Sequence, residues 1–119
     1  MRDPSEFDLE IKASTIHGKG LFTTKPVKRG RKIVDWHYKP EQVMKWKDFK
    51  EKYGDDFRYT YSMRRVWKII NCKDNRNIVT FVNDGGADCN CELKRFALFS
   101  LRDIEAGEEL TLLYPHYRP

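Results

Sequence analysis

A chain of 119 residues is limited to one domain with a modest core. Its 39% hydrophobic and 34% charged residues are globular proportions, which exclude a disordered or fibrous chain. The net charge of +5 leaves anionic partners open, while no apolar run is long enough for a membrane-spanning helix, so no membrane partner is expected.

Leu9-Glu10-Ile11-Lys12-Ala13 alternates apolar and polar residues and predicts a half-buried strand. His17-Gly18-Lys19-Gly20 turns the chain, and residues 21–24 continue as strand. No helix follows these glycines, so they do not read as a phosphate loop. Pro26 and Gly30 bracket a turn carrying Lys25, Lys28, Arg29, Arg31 and Lys32. This densest positive cluster reads as a solvated turn, because no aromatic is interleaved to stack on bases. Nucleic acid is therefore not an expected partner. Residues 32–36 form the next strand, and Trp36 and Tyr38 read as core or surface aromatics. Residues 40–53 predict the one helix: Pro40 suits its first turn, Glu41 its N-terminus and Gly54 the position past its end. Val43, Trp46, Phe49 and Tyr53 fall on one side of it.

Residues 57–63 alternate, which puts Phe57, Tyr59 and Tyr61 on one face of a strand. Residues 66–70 are another strand, turned by Asp74-Asn75-Arg76-Asn77. The β-branched and aromatic run 77–82 predicts a buried strand that ends in Asn83-Asp84-Gly85-Gly86, which is strong turn chemistry. That loop is either a hairpin corner or a place where backbone approaches a ligand, with Asn83 held at its mouth. Residues 94–101 read as a further strand. Many short strands and one helix make a mostly β domain. Met1-Arg2-Asp3-Pro4 does not begin a signal peptide, and three cysteines, Cys72, Cys89 and Cys91, cannot all pair. Reduced thiols and an intracellular location are expected, and no metal site.

Three motifs stand in order along the chain. The first is Gly18-Lys19-Gly20-Leu21-Phe22, with Lys28-Arg29-Gly30-Arg31-Lys32-Ile33 after it. The second is Asn77-Ile78-Val79-Thr80-Phe81-Val82-Asn83-Asp84-Gly85. The third is Gly107-Glu108-Glu109-Leu110-Thr111-Leu112-Leu113-Tyr114. Together they resemble the SET domain of protein lysine methyltransferases, in the short stand-alone form known from viruses and microbes. The resemblance departs at Thr80, Asp84 and Gly85, where the family has Arg, His and Ser.

The resemblance implies a single domain over 1–119, built of small β-sheets, with a helical insert at about 40–54. It also implies a C-terminal segment threaded beneath a preceding loop, with no flanking cysteine-rich segment before it and no zinc segment after it. The implied activity is transfer of methyl groups from S-adenosylmethionine to the lysine side-chain amine of a protein or peptide, histone tails included. The implied location is the nucleus for a histone substrate and the cytoplasm otherwise. Gly18, Lys19 and Gly20 would border the methionine end of the cofactor, Asn83 would hold its amino-acid end, and the Asp84 backbone would meet the adenine. Tyr114 would meet the methyl group and aim the amine, while Tyr59 and Tyr61 wall the lysine channel. Desolvation there and a nearby positive charge would lower a lysine pKa of about 10.4, so no strong general base is needed. Leu112, two residues before Tyr114, stands where the family sets the number of methyl groups. With no hydroxyl there, di- or trimethyl-lysine is expected. Closure of the site would come from a second copy in a homodimer, from the substrate, or from Tyr117 folding back. Two other readings stay open: a non-catalytic interaction module on the same fold, motivated by Asp84 and Gly85, and a basic nucleic-acid-binding protein.

Overall fold

The computed structural model describes residues 1–114. Ten short strands and one α-helix build three small sheets among these residues. The first sheet holds β1 (Leu9–Ala13), β2 (Lys19–Thr23), β10 (Glu109–Leu112) and β7 (Asn83–Asp84), in the order β1-β2-β10-β7. The second is β3 (Lys32–Asp35), β9 (Ala97–Ser100) and β8 (Cys91–Lys94). The third is β4 (Val43–Lys45), β6 (Lys68–Asn71) and β5 (Thr60–Met63). A mostly β architecture with one short helix is thus present, as the sequence pattern predicts.

The last strand decides where the site lies. β10 pairs antiparallel with β2, Leu110 opposite Leu21, and parallel with β7, Thr111 opposite Asn83. Leu110, Thr111 and Leu112 are all buried, as suits a strand covered on both faces. A parallel pair needs a crossover, and here the β8–β9 hairpin supplies it in place of the usual helix. β10 is therefore seated inside the sheet rather than added at its edge. Whatever threading follows Tyr114 lies outside the described residues, as does Tyr117. One core, including Leu9, Leu21, Val34, Ile70, Val79, Leu98 and Leu110, joins the sheets.

Several local expectations are corrected. The run 77–82 is not a strand: Ile78–Phe81 is a 3-10 helix. The Asn77 side chain accepts from Val79 N at 2.9 Å, and Thr80 Oγ1 donates to Asn77 O at 2.6 Å. Local capping by these side chains overrides the β propensity of the run. The helix over 40–53 is divided into a 3-10 turn (Pro40–Gln42), β4, and α1 (Trp46–Tyr53). Gln42 accepts from Lys39 N and donates to Asn75 O, and Val43 pairs with Ile70, so sheet pairing takes the first half of the pattern. Phe49, fully buried, is the inward residue of what remains helical.

Residues 94–101 are not one strand: Lys94 ends β8 and Ala97–Ser100 is β9. Arg95 and Phe96, with φ of 49° and 59°, form the two-residue turn between β8 and β9. Such a turn is usually marked by Asn or Gly, and neither is present to show it. In the third sheet β6 starts only at Lys68, because a 3-10 turn, Arg64–Val66, precedes it. Phe57, Tyr59 and Tyr61 do not share a face. The left-handed Tyr59, φ 62°, breaks the alternation just before β5, and the three rings enter three separate clusters.

Candidate active site

Asn83 is the joint of the candidate site. It sits in β7, beside β10, and its side-chain nitrogen reaches three acceptors: His17 O at 3.0 Å, Lys19 O at 3.2 Å and Glu109 Oε2 at 2.9 Å. The first motif, the second and the third are thus tied by one amide. Ser14 Oγ holds both Glu109 oxygens, at 2.7 and 2.8 Å, and Ser14 N donates to Gly18 O, so the β1–β2 turn is closed on the same carboxylate. Gly20 makes room for this: a Cβ there would lie 2.8 Å from the Glu109 carboxyl carbon.

Asn90, 3% exposed, secures β10 from the other side. It accepts from Thr111 N at 2.8 Å and donates to Glu109 O at 2.8 Å, taking the part of a missing strand. Tyr114, just past β10, donates its hydroxyl to Val82 O at 2.6 Å, one residue before Asn83. Leu112 is buried against the core, opposite Asp84 in the β7–β10 pair.

The departures from the expected motif have structural reasons. Asp84 Oδ1 accepts from Gly86 N at 2.8 Å, which shapes the turn after β7. At residue 85 only glycine fits, since a Cβ would lie 2.6 Å from both Thr111 Cβ and Oγ1. Beside Thr80 a guanidinium is still present, supplied by Arg76. Its Nε donates to Thr80 Oγ1 at 3.1 Å and its Nη2 to Thr80 O at 2.8 Å. The same group lies 3.9 Å from the ring centres of Tyr59 and Phe81.

Tyr59 and Tyr61 are half-buried and, like Tyr114, pack on the common core. They belong to different groups. Tyr59 lies against Arg76, whereas Tyr61 stacks on Phe96 at 4.8 Å, contacts Trp36 at 5.6 Å and accepts from Phe96 N. Phe57 goes elsewhere again, stacking on Trp46 and Phe49. Trp36 is in the core, and Tyr38 is exposed beside Phe96.

Sequence reasoning missed Ser14, Arg76 and Asn90, and gave Glu109 no role of its own. Glu109 was legible as a carboxylate inside the third motif. Ser14 and Asn90 carry no local signal, because their partners Glu109 and Thr111 are distant in the chain, and Arg76 meets Thr80, four residues on, only because the run 77–82 turns as a 3-10 helix. Two open depressions lie elsewhere. One of about 430 Å³ is lined by Trp46, Val66, Trp67 and lysines, and one of about 360 Å³ by His37, Tyr38 and Arg76 among others. Neither is lined by Asn83, Asp84 or Tyr114.

The fold and the motif junction define a SET-type domain, and the family comparison agrees: the SET domain model matches residues 18–115. The chain belongs to the SET-domain family. It is 30% identical, over 125 aligned positions and 96% of its length, to the Plasmodium falciparum protein named “Putative histone-lysine N-methyltransferase 1”. It spans 2% of that much longer protein. Among solved structures it matches “ctPRC2 in an autoinhibited conformation bound to S-adenosylmethionine”, with a TM-score of 0.76 at 17% identity. That match covers 93% of this chain and 15% of the other, and at this identity it speaks for the fold.

Proposed function

We infer that this chain is a protein lysine methyltransferase that uses S-adenosylmethionine. The observation that carries the reading is the meeting of all three motifs at Asn83, with the Tyr114 hydroxyl one residue away on Val82 O. The residues present suit the cofactor. Asn83 Oδ1 accepts no hydrogen bond among the described residues, so it offers an acceptor to an ammonium group. A Cβ at Gly18 would meet nothing within 4 Å, so the loop of Gly18, Lys19 and Gly20 leaves room beside its backbone. The backbone of Asp84 is the adjoining surface for the adenine.

When bound, S-adenosylmethionine supplies a methyl group on a positive sulfonium, which an uncharged lysine amine can take in one displacement. Tyr114 gives its only hydroxyl proton to Val82, so towards any further group its oxygen acts as an acceptor. That suits it to receive weak C–H···O contacts and to orient an amine N–H. Tyr59, packed against Arg76, and Tyr61, stacked on Phe96, each offer ring surface to a lysine side chain separately and do not form one wall. Desolvation disfavours the ammonium form, so Tyr59 and Tyr61 promote deprotonation without acting as bases. Positioning is the remaining contribution, and the hydrogen-bonded junction of Asn83, Glu109 and Ser14 holds the parts in register.

The substrate is a lysine-bearing protein or peptide. A histone tail is the option suggested by the name of the Plasmodium relative. Nuclear location goes with a histone substrate, cytoplasmic location with another. The test is incubation with labelled S-adenosylmethionine, recombinant histones and a cell extract. Label on protein lysine is expected. Absence of both label and cofactor binding by calorimetry would favour a non-catalytic module instead.

Leu112 bears on the product. It has no hydroxyl to anchor a water beside the amine, so di- or trimethyl-lysine is expected by mass spectrometry. Because Leu112 is 4% exposed in the core, Leu112→Tyr would overfill the site and cost about 1–3 kcal/mol. The product of the unmodified protein therefore carries this test, and a reaction that stops at monomethyl-lysine with excess cofactor contradicts it.

A further inference from the structure

We propose that the surface around Trp46 and Trp67 binds single-stranded nucleic acid. The cavity of about 430 Å³ is lined by Lys45, Trp46, Lys47, Val66, Trp67 and Lys68. It joins two segments distant in the chain, the β4–α1 corner and the β5–β6 turn, which Trp46 N ties together by donating to Trp67 O at 2.8 Å.

Two features of this surface point to a ligand that is flat and anionic. The first is Trp67. It is 70% exposed, yet its backbone is held in the left-handed region at φ 54°. A bulky residue in that conformation is uncommon, and such outliers gather at functional sites. Its indole takes part in none of the ring stacks or cation–π contacts among the described residues. Trp46, by contrast, is braced from behind by Phe57 at 5.3 Å. The cavity thus has one fixed and one projecting indole. The second feature is charge. Lys45, Lys47 and Lys68 border the cavity, and Arg64 and Arg65 precede Val66 in the same turn, all exposed. None of the five is in an ion pair among the described residues, whereas Lys50, Arg58 and Lys73 nearby all are. Asp48 on the first turn of α1 is the nearest acid in sequence.

Unpaired cations attract phosphates, and an exposed indole offers a face to an unstacked base. Single-strand binders combine these two elements. An acidic peptide would use the charge and leave the indole without purpose, and a duplex keeps its bases stacked out of reach. The turn at residues 25–32 gave no such signal, since it has cations without aromatics. Here the aromatics and cations meet only through folding.

The test is fluorescence anisotropy of labelled oligothymidylate with the full chain over a salt series. Binding that weakens with salt is expected. Trp67→Asn keeps a residue that tolerates the left-handed turn and should weaken binding about tenfold. Lys45→Gln, Lys47→Gln and Lys68→Gln together should lower the log–log salt slope by about 2, at roughly 0.7 per lost phosphate contact. Circular dichroism confirms that both variants fold. Absence of salt-dependent binding overturns the proposal. So does binding unchanged in Trp67→Asn, or equal displacement by duplex DNA or polyglutamate, which would mean that charge alone is read.

Discussion

Asn83 and Tyr114 are neighbours at the junction, but their roles separate. Asn83→Ala removes the one side chain that holds His17, Lys19 and Glu109 together. Cofactor affinity by calorimetry should fall by about tenfold or more, since a charge-assisted contact is worth about 1.5–3 kcal/mol. Tyr114→Phe removes one oxygen and little volume, so turnover should fall sharply while cofactor affinity stays near normal. Undiminished binding in the first variant, or retained turnover in the second, contradicts these assignments. Gly85 tests the packing of the same place. Gly85→Ala forces a methyl to within 2.6 Å of Thr111 and should cost about 1–3 kcal/mol in urea unfolding. Gly85→Ala combined with Thr111→Ala should recover part of this, because the clash is with the threonine side chain.

At the scale of elements, the turn Ile78–Phe81 depends on Arg76. One guanidinium makes two hydrogen bonds to Thr80 and lies over two rings, Tyr59 and Phe81. Among the described residues no other cation links this turn to the left-handed Tyr59 before β5. Arg76→Ala should destabilise the protein by about 2–4 kcal/mol, because a part-buried hydrogen-bonded charge and two ring contacts are lost together. Arg76→Lys should restore only a fraction, since an ammonium cannot form the fork or stack flat. Chemical denaturation of the three proteins decides it, and equal stability of the Lys variant and the parent would argue against the geometry.

For the whole molecule, the three thiols report how closed the core is. Cys72 and Cys91 are buried, and Cys89 is half-buried. Burial raises the Cys72 thiol pKa and pushes that of Cys91 up to about 12. Raised values keep both thiols mainly protonated near pH 8, and burial keeps both out of reach. A thiol reagent should therefore label one cysteine quickly in the native protein and three in denaturant. Cys89→Ser should abolish the fast phase. Two fast thiols in the parent would show that the β8 side of the core opens more readily than its packing suggests.

The sequence by itself determined the mostly β class and the three motifs in order, because each rests on residue type and short spacing, and the resemblance those motifs carry singled out Asn83 and Tyr114. It could not place the turns at Arg95-Phe96 and Trp67, where left-handed residues carry no glycine. Nor could it see that Asn77 caps a 3-10 turn in a run of β-formers, since the local side-chain hydrogen bonds of Asn77 and Thr80 outweigh the propensity there. Only the tertiary structure decided that Arg76 stands beside Thr80, that Thr111 requires Gly85, and that Asn90 replaces a strand. It also decided that two tryptophans and a set of lysines form one surface. For Gly85 with Thr111, Asn90 with β10 and the tryptophan surface the physical reason is shared: the deciding contact is between residues whose proximity is created by sheet pairing, above all by the seating of β10 between β2 and β7. Arg76 and Thr80 meet instead through the local 3-10 turn. Periodicity and propensity describe a segment, whereas a site made of several segments exists only once they pack.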